Sequence, residues 1–245
     1  MSMKQDPTLN TVYGIHPVLE LLKAKKRPIA TIYTTKEPIK SWNEISKLIP
    51  SKIRVQHIGK DALARIAGSA DHQGIVALAT PFVYRTKPFD SAKEPFILVL
   101  DRIQDPRNVG AIIRSAYCAG IQGVILIKKG GCLINAPALK ASAGLAEHMP
   151  IYLAASSASA QQELRAAGYS IYVGALGGEA LQKVSFKTPC CLVVGNEATG
   201  IAPEFRKNST LFMLPQRAKD ISYNASVAAG IMAFWVSLSL GYITH

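Results

Sequence analysis

The stretch Leu214–Gly230, LPQRAKDISYNASVAAG, decides how this chain is read. A short apolar strand over Leu211–Leu214 stops at Pro215 and gives way to a polar, charged loop. The loop ends in Ser222, Tyr223, Asn224 and Ser226, where a long helix of small and apolar residues begins. Hydroxyl and amide side chains at a helix start cap backbone N–H groups that lack an intrahelical partner. Capping and ligand binding are therefore equal readings of this stretch alone. Two other stretches share its plan. Val193–Ile201, VVGNEATGI, runs a buried strand into a Gly-flanked acidic turn, and Leu98–Arg114, LVLDRIQDPRNVGAIIR, follows a strand with Asn108 and Arg114. All three strands deliver polar groups at their C-terminal ends, where open α/β sheets place their ligand sites.

Outward from these stretches, strands and helices alternate from Phe96 onward. Apolar runs predict strands at Phe96–Leu100, Gly123–Ile127, Ser170–Gly174, Cys191–Val194 and Leu211–Leu214, with a weaker one at Ile151–Leu153. Helical spacing covers Asn108–Gly120, Pro137–Glu147, Ser156–Ala167 and Asn224–Tyr242. Continuous apolar strands alternating with helices mean a mostly parallel sheet covered on both faces. The first 80 residues read as a separate small α/β sandwich. Its helices fall at Gly14–Lys26, Trp42–Leu48 and Ala62–Gly68, and its strands at Ile29–Thr34, Ile53–Ile58 and Gly74–Ala79. Between the two parts, Thr80–Pro95 is proline-spaced and aperiodic and reads as a linker. The expected domains are thus residues 1–80, a linker over 81–95, and residues 96–245.

Composition narrows the class. The chain has 245 residues, 49% of them hydrophobic, which excludes a disordered protein. Its net charge of +12 points to a polyanionic partner or a basic protein kept soluble by charge. Residues 1–80 hold 12 Lys and Arg against 6 Asp and Glu, so half of the excess sits in a third of the chain. Lys23, Lys25, Lys26 and Arg27 crowd one helix end, as a charge–dipole pairing or as phosphate contacts. Cys118, Cys132, Cys190 and Cys191 form no metal-binding spacing and read as free thiols of a reducing compartment. No metal is expected. The start, MSMKQDPTLN, lacks the apolar segment of a signal peptide. The uncharged run Val227–Ile243 is shorter than the roughly 20 residues of a membrane span and reads as a helix buried in the fold or at a subunit contact. The expectation is a soluble, cytoplasmic protein with no membrane contact.

The three stretches together resemble the motifs of the SpoU/TrmH family of RNA ribose 2′-O-methyltransferases, in the SPOUT superfamily. Asn108, Gly110 and Arg114 match the first motif, Gly195, Glu197 and Gly200 the second, and Ser222, Asn224 and Ser226 the third. The likeness extends upstream through VYGIHPVLELL at Val12–Leu22 and HQGIVA at His72–Ala77. It implies a trefoil-knotted C-terminal methyltransferase domain and a small ribosomal-protein-L30e-like RNA-binding domain before it. It also implies S-adenosyl-L-methionine as cofactor, a homodimer through the C-terminal domain, and a guanosine of 23S ribosomal RNA as target. A tRNA ribose methyltransferase, or a non-catalytic RNA-binding factor on the same scaffold, is the alternative.

Site residues follow from that resemblance. Asn108, Arg114, Glu197, Ser222 and Asn224 are the expected catalytic set. Arg114 would anchor the RNA phosphate and stabilise the developing alkoxide, a surface ion pair being the plain alternative; a guanidinium scarcely deprotonates, so it makes a poor base. Asn108 would also cap its helix. Glu197 would face Arg114 and position that arginine or the target nucleotide, a solvated carboxylate being the plain alternative. The expected cofactor set is Leu176, Gly177, Gly195, Asn196, Leu214, Pro215, Tyr223, Asn224 and Ser226, with the glycines of Gly174–Gly178 admitting the cofactor close to the backbone. Lys23, Lys25, Lys26, Arg27 and Arg114 are the expected RNA contacts. The third motif departs from the family at Gln216, Ala218, Tyr223 and Trp235, and Ala218 adopts positive φ less freely than glycine. Those changes bear on cofactor affinity rather than on the catalytic polar set.

Overall fold

A computed structural model describes residues 8–217 and 221–244 of the chain. The signal-peptide reading of the first residues and the departure at Ala218 rest on positions outside that range. The chain divides into two compact units, Met1–Val83 with Ile134–His148, and Tyr84–Leu133 with Met149–His245.

In the first unit the order is β1 (Asn10–Tyr13), α1 (Ile15–Ala24), β2 (Ile29–Thr34), α2 (Trp42–Leu48), β3 (Arg54–His57), α3 (Lys60–Ala67) and β4 (Ile75–Ala79). The sheet order is β1-β4-β2-β3, with β4 antiparallel to β1 and β2 and β3 parallel to β2. Sequence periodicity misses β1, which is four residues long. Helix α1 buries Val18, Leu21 and Leu22 on one stripe and ends in Lys25 at φ 53°.

In the second unit β5 (Phe96–Asp101) and α4 (Pro106–Cys118) come first, followed by β6 (Gly123–Ile127). The chain then supplies α5 (Ala136–Ala141) to the first unit before returning at β7 (Ile151–Ala154) and α6 (Ser157–Ala166). Strands β8 (Ser170–Ala180), β9 (Cys190–Gly195) and β10 (Thr210–Met213), with α7 (Pro203–Arg206) and α8 (Ala225–Ser239), complete it. The sheet is parallel throughout, in the order β10-β8-β9-β5-β6-β7. Its central strand β5 is buried at every residue, as a parallel strand covered on both faces must be.

Three differences from the sequence reading have local causes. The helix expected over Pro137–Glu147 breaks into α5 and a 3₁₀ turn at Leu145–Glu147, because Ala143 and Gly144 take positive φ. These residues pack within the first unit, whereas the sequence reading kept them in the second domain. Strand β8 runs beyond Gly174 to Ala180, but its pairing with β10 jumps from Val173 to Glu179 and skips the glycine-rich stretch.

Candidate functional site

Strands β5 and β9 are neighbours, with Asp101 opposite Gly195, so their C-terminal ends present the first two motifs side by side. Helix α8 runs alongside α4: Asn224 meets Asn108, and Ser237 Oγ donates to the Ala119 carbonyl. That packing carries the third motif to the first. Asn108 then joins all three. Its Nδ2 donates to Glu197 Oε1, and its Oδ1 accepts from Asn224 Nδ2 at 3.2 Å. A carboxylate only accepts, so Glu197 fixes which way the Asn108 amide points. Asn224 in turn caps α8, its Oδ1 accepting from Ser226 N at 2.9 Å and Ser226 Oγ at 2.6 Å. Capping and site building coexist at this residue, as equal readings of the stretch allowed.

Two expectations need correction. Asn108 does not cap α4: the cap is Asp105, whose Oδ1 accepts from Arg107 N at 2.8 Å, with Pro106 in the first turn. Asn108 therefore sits inside the first turn with its amide free to reach across the sheet end. Hydrogen bonding from the Arg107 side chain, with its backbone N–H, holds the Asp105 carboxyl below the ordinary aspartate value. Glu197 takes Asn108 as its partner rather than Arg114. Arg114 is exposed on α4, and no hydrogen bond or ion pair joins it to another described residue. Its guanidinium is left open to solvent.

The turn that carries Glu197 is built by Asn196, expected as a cofactor contact, and by Asp101, which had no expected role. Asn196 is nearly buried; its Oδ1 accepts from Ala198 N and Thr199 N at 2.8 and 3.0 Å, and its Nδ2 donates to the Arg102 carbonyl at 3.0 Å. That amide is used on the turn itself. Asp101 is fully buried, accepting from Ser157 Oγ at 2.6 Å and from Ala202 N at 2.7 Å. It ties the far end of the turn to the end of β5. An aspartate closing the apolar run LVLD was the available signal, since a buried carboxylate demands partners. Gly195 is required here: a Cβ would lie 2.8 Å from the Gly200 carbonyl.

A cavity of about 130 Å³ opens beside this cluster, between the skipped stretch of β8 and the start of α8. Of the expected cofactor residues, Leu176, Leu214 and Tyr223 line it, together with Ser222 from the catalytic set. Gly177, Gly195, Asn196, Pro215, Asn224 and Ser226 do not. Met213 and Met232 line it without an expected role, and so does Gln216, one of the departures expected to bear on cofactor affinity. Gly174 in this wall and Gly178 beyond it are closely packed. A Cβ on Gly174 would meet Met232 Sδ at 2.6 Å, and one on Gly178 would meet the β10 backbone at 2.5 Å.

Among the basic residues expected to meet RNA, Lys23, Lys25 and Lys26 are exposed. Lys23 Nζ lies 3.1 Å from Glu20 and 3.3 Å from Glu44. Arg27 is only 4% exposed, which removes it from that set. Its guanidinium pairs with both Glu147 oxygens and donates to the Thr80 carbonyl at 2.8 Å. A fork buried to that degree and already gripping a carboxylate is not presented to a phosphate in solvent.

Comparison with known proteins gives the family. Residues 95–234 match the SpoU rRNA Methylase family, and residues 11–85 match the RNA 2′-O ribose methyltransferase substrate-binding domain. The chain belongs to the SpoU methylase family. It is 31% identical to an uncharacterized tRNA/rRNA methyltransferase of Synechocystis, over 98% of this chain and 65% of that protein. It is 30% identical to the 23S rRNA (guanosine-2′-O-)-methyltransferase RlmB of Acinetobacter baylyi, over 91% of this chain and 94% of that one. The fold matches the crystal structure of the SpoU methyltransferase AviRb from Streptomyces viridochromogenes in complex with AdoMet, with a TM-score of 0.78. That match has 20% identity and covers 94% of this chain and 90% of the other. No helix among the described residues is long and apolar enough to cross a membrane.

Proposed function

We propose that this protein transfers a methyl group from S-adenosyl-L-methionine to a ribose 2′-hydroxyl of RNA, at a guanosine of 23S ribosomal RNA. The observation that carries the reading is the Glu197–Asn108–Asn224 chain of hydrogen bonds, which gathers three distant motifs next to a cavity. The Acinetobacter relative, alike over nearly its full length, supports the guanosine target.

The cavity suits the cofactor's chemistry. Apolar Leu176 and Met232 offer faces for a heterocycle, while Gln216, Ser222 and the backbone at Met213 and Leu214 offer polar contacts. When bound there, the cofactor would supply an electrophilic methyl carbon on sulfonium for the ribose oxygen. Arg114, exposed and unpaired among the described residues, holds the RNA phosphate and steadies negative charge on the reacting oxygen. Glu197, oriented by Asn108, fixes the target nucleotide beside it. Holding the reacting atoms in line supplies much of the rate by itself.

The C-terminal segment passes through a trefoil knot in this reading, and two copies join through the second unit. Val227, Ile231, Phe234 and Trp235 leave an exposed apolar face on α8 opposite its buried one, as an interface requires. Residues of the first unit bind the RNA. Ribose-methylation mapping of total RNA with and without the protein tests the proposal. A lost mark in 23S ribosomal RNA upholds it, a lost mark in tRNA replaces the substrate, and an unchanged map overturns the activity.

A further inference from the structure

A second, larger cavity lies wholly in the first unit. It measures about 520 Å³ and is walled by Ile39 of the β2–α2 loop, Lys60 and Ala64 of α3, and Thr35, His72 and Gly74. Small-ligand sites span roughly 300–1,000 Å³. His72 is 6% exposed, and its Nδ1 accepts from Gly74 N at 3.0 Å. With Nδ1 accepting, the ring proton sits on Nε2, which makes His72 one N–H donor among the residues lining the cavity. Thr35, 7% exposed, donates its hydroxyl proton to the Glu37 carbonyl at 2.9 Å and keeps lone pairs for an incoming donor. Gly74 sits at φ +81°, and a Cβ there would lie 2.5 Å from Ile39 Cγ2, so only glycine lets Ile39 close this wall.

The groove continues into a smaller cavity of about 80 Å³ that shares Thr35 and Ile39 and is lined by Trp42 and His57. Their rings meet edge to face at 6.5 Å. Lys36 lines the smaller cavity and Lys60 the larger, beside Asp61 and Glu37; Lys60 Nζ lies 3.7 Å from Glu37 in an exposed pair that a phosphate could displace.

We propose that this groove holds an unpaired nucleotide of the RNA substrate, with its base against Ile39 and Ala64 and within reach of His72 Nε2–H, and a neighbouring base on Trp42. A planar neutral heterocycle fits aliphatic walls, one buried N–H donor and one hydroxyl acceptor. Aromatic rings accept successive bases by stacking, and the flanking lysines meet phosphates. Bases in a duplex cannot enter such a groove, so it selects loops, bulges or single strands. The inference rests on RNA being the substrate.

The test uses the full chain carrying Trp235→Phe, so that Trp42 is the remaining tryptophan. Pentanucleotides of single-stranded RNA and a blunt RNA duplex are titrated while Trp42 emission is followed. Saturable quenching by single strands but not by the duplex is expected. Ala64→Phe fills the cavity without touching a hydrogen bond and should weaken that binding about tenfold, with an unchanged melting temperature. His72→Ala should do the same where it folds. No quenching by any single strand, or equal binding by Ala64→Phe, overturns the pocket. Methyl transfer to total RNA by the parent chain is scored separately: its absence would refute the methyltransferase reading, and transfer without quenching would refute the pocket alone.

Discussion

Asn224 donates its amide N–H to Asn108 Oδ1 at 3.2 Å, across 116 positions of sequence. The two amides sit in the first turns of two helices packed along each other, one following β5 and the other following the loop after β10. This bond, together with the one from Asn108 to Glu197, makes one device of three motifs.

Asn108→Ala should therefore uncouple Glu197 from Asn224 without unfolding α4, whose cap is Asp105. A hydrogen bond to a charged acceptor contributes about 1.5–3 kcal/mol, so single-turnover methylation should fall between about tenfold and a hundredfold. Thermal stability should move little. A rate equal to that of the parent chain would leave the contact structural only.

Arg114→Lys keeps the charge and loses the planar fork that grips two oxygens. The loss should fall on turnover, by about a hundredfold, because the contact strengthens as the hydroxyl loses its proton. Cofactor affinity should hold, since Arg114 does not line the cavity. Single-turnover rates beside calorimetric titration of S-adenosylmethionine separate the two effects.

Arg27→Ala strands a buried Glu147 carboxylate and should cost about 3–5 kcal/mol. The pair Arg27→Met with Glu147→Leu removes both charges and should recover most of that loss. Denaturant melts of the single and double variants decide it; additive losses would contradict a coupled pair.

Asp105→Ala should lower stability by about 1 kcal/mol at pH 7 through loss of the helix cap. The exposed Arg107 pair adds little to that. Because the folded carboxyl titrates below its ordinary value, its contribution is complete above the unfolded aspartate range and is lost as pH falls through the lowered value. Urea melts of parent and variant should therefore converge in acid; a gap that widens there would reverse the sign.

Phe234→Asp places a charge in the exposed apolar face of α8, where Phe234 is 56% exposed. Light scattering at micromolar concentration should report a dimer for the parent chain and a monomer for the variant, with similar melting of the monomer unit. A monomeric parent would dissolve the dimer proposal.

By itself, the sequence determined the parallel sheet, since continuous apolar strands alternating with helices admit little else, and it placed Asn108, Glu197 and Asn224 at strand ends and helix starts. It also offered Asn224, among its neighbours, as a cap, and the structure makes it one, because an amide before a small-residue helix has a local partner whatever the rest of the chain does. Local reasoning failed where the deciding contact was remote. Asn108 looked like a cap until Asp105 took that place and Glu197, 89 positions away, took its amide. Arg27 looked like a phosphate contact because it stands in a basic run, yet Glu147 at 120 positions' distance buries it. Of the glycines in Gly174–Gly178, expected as a ligand cradle, Gly174 and Gly178 leave space that Met232 and the β10 backbone fill, whereas nothing lies within 4 Å of a Cβ on Gly177. Caps and periodicity come from neighbours along the chain, so sequence shows them. Partners of charged and amide groups, and the space around a glycine, are set by strand order and helix packing, and only the tertiary structure decided those.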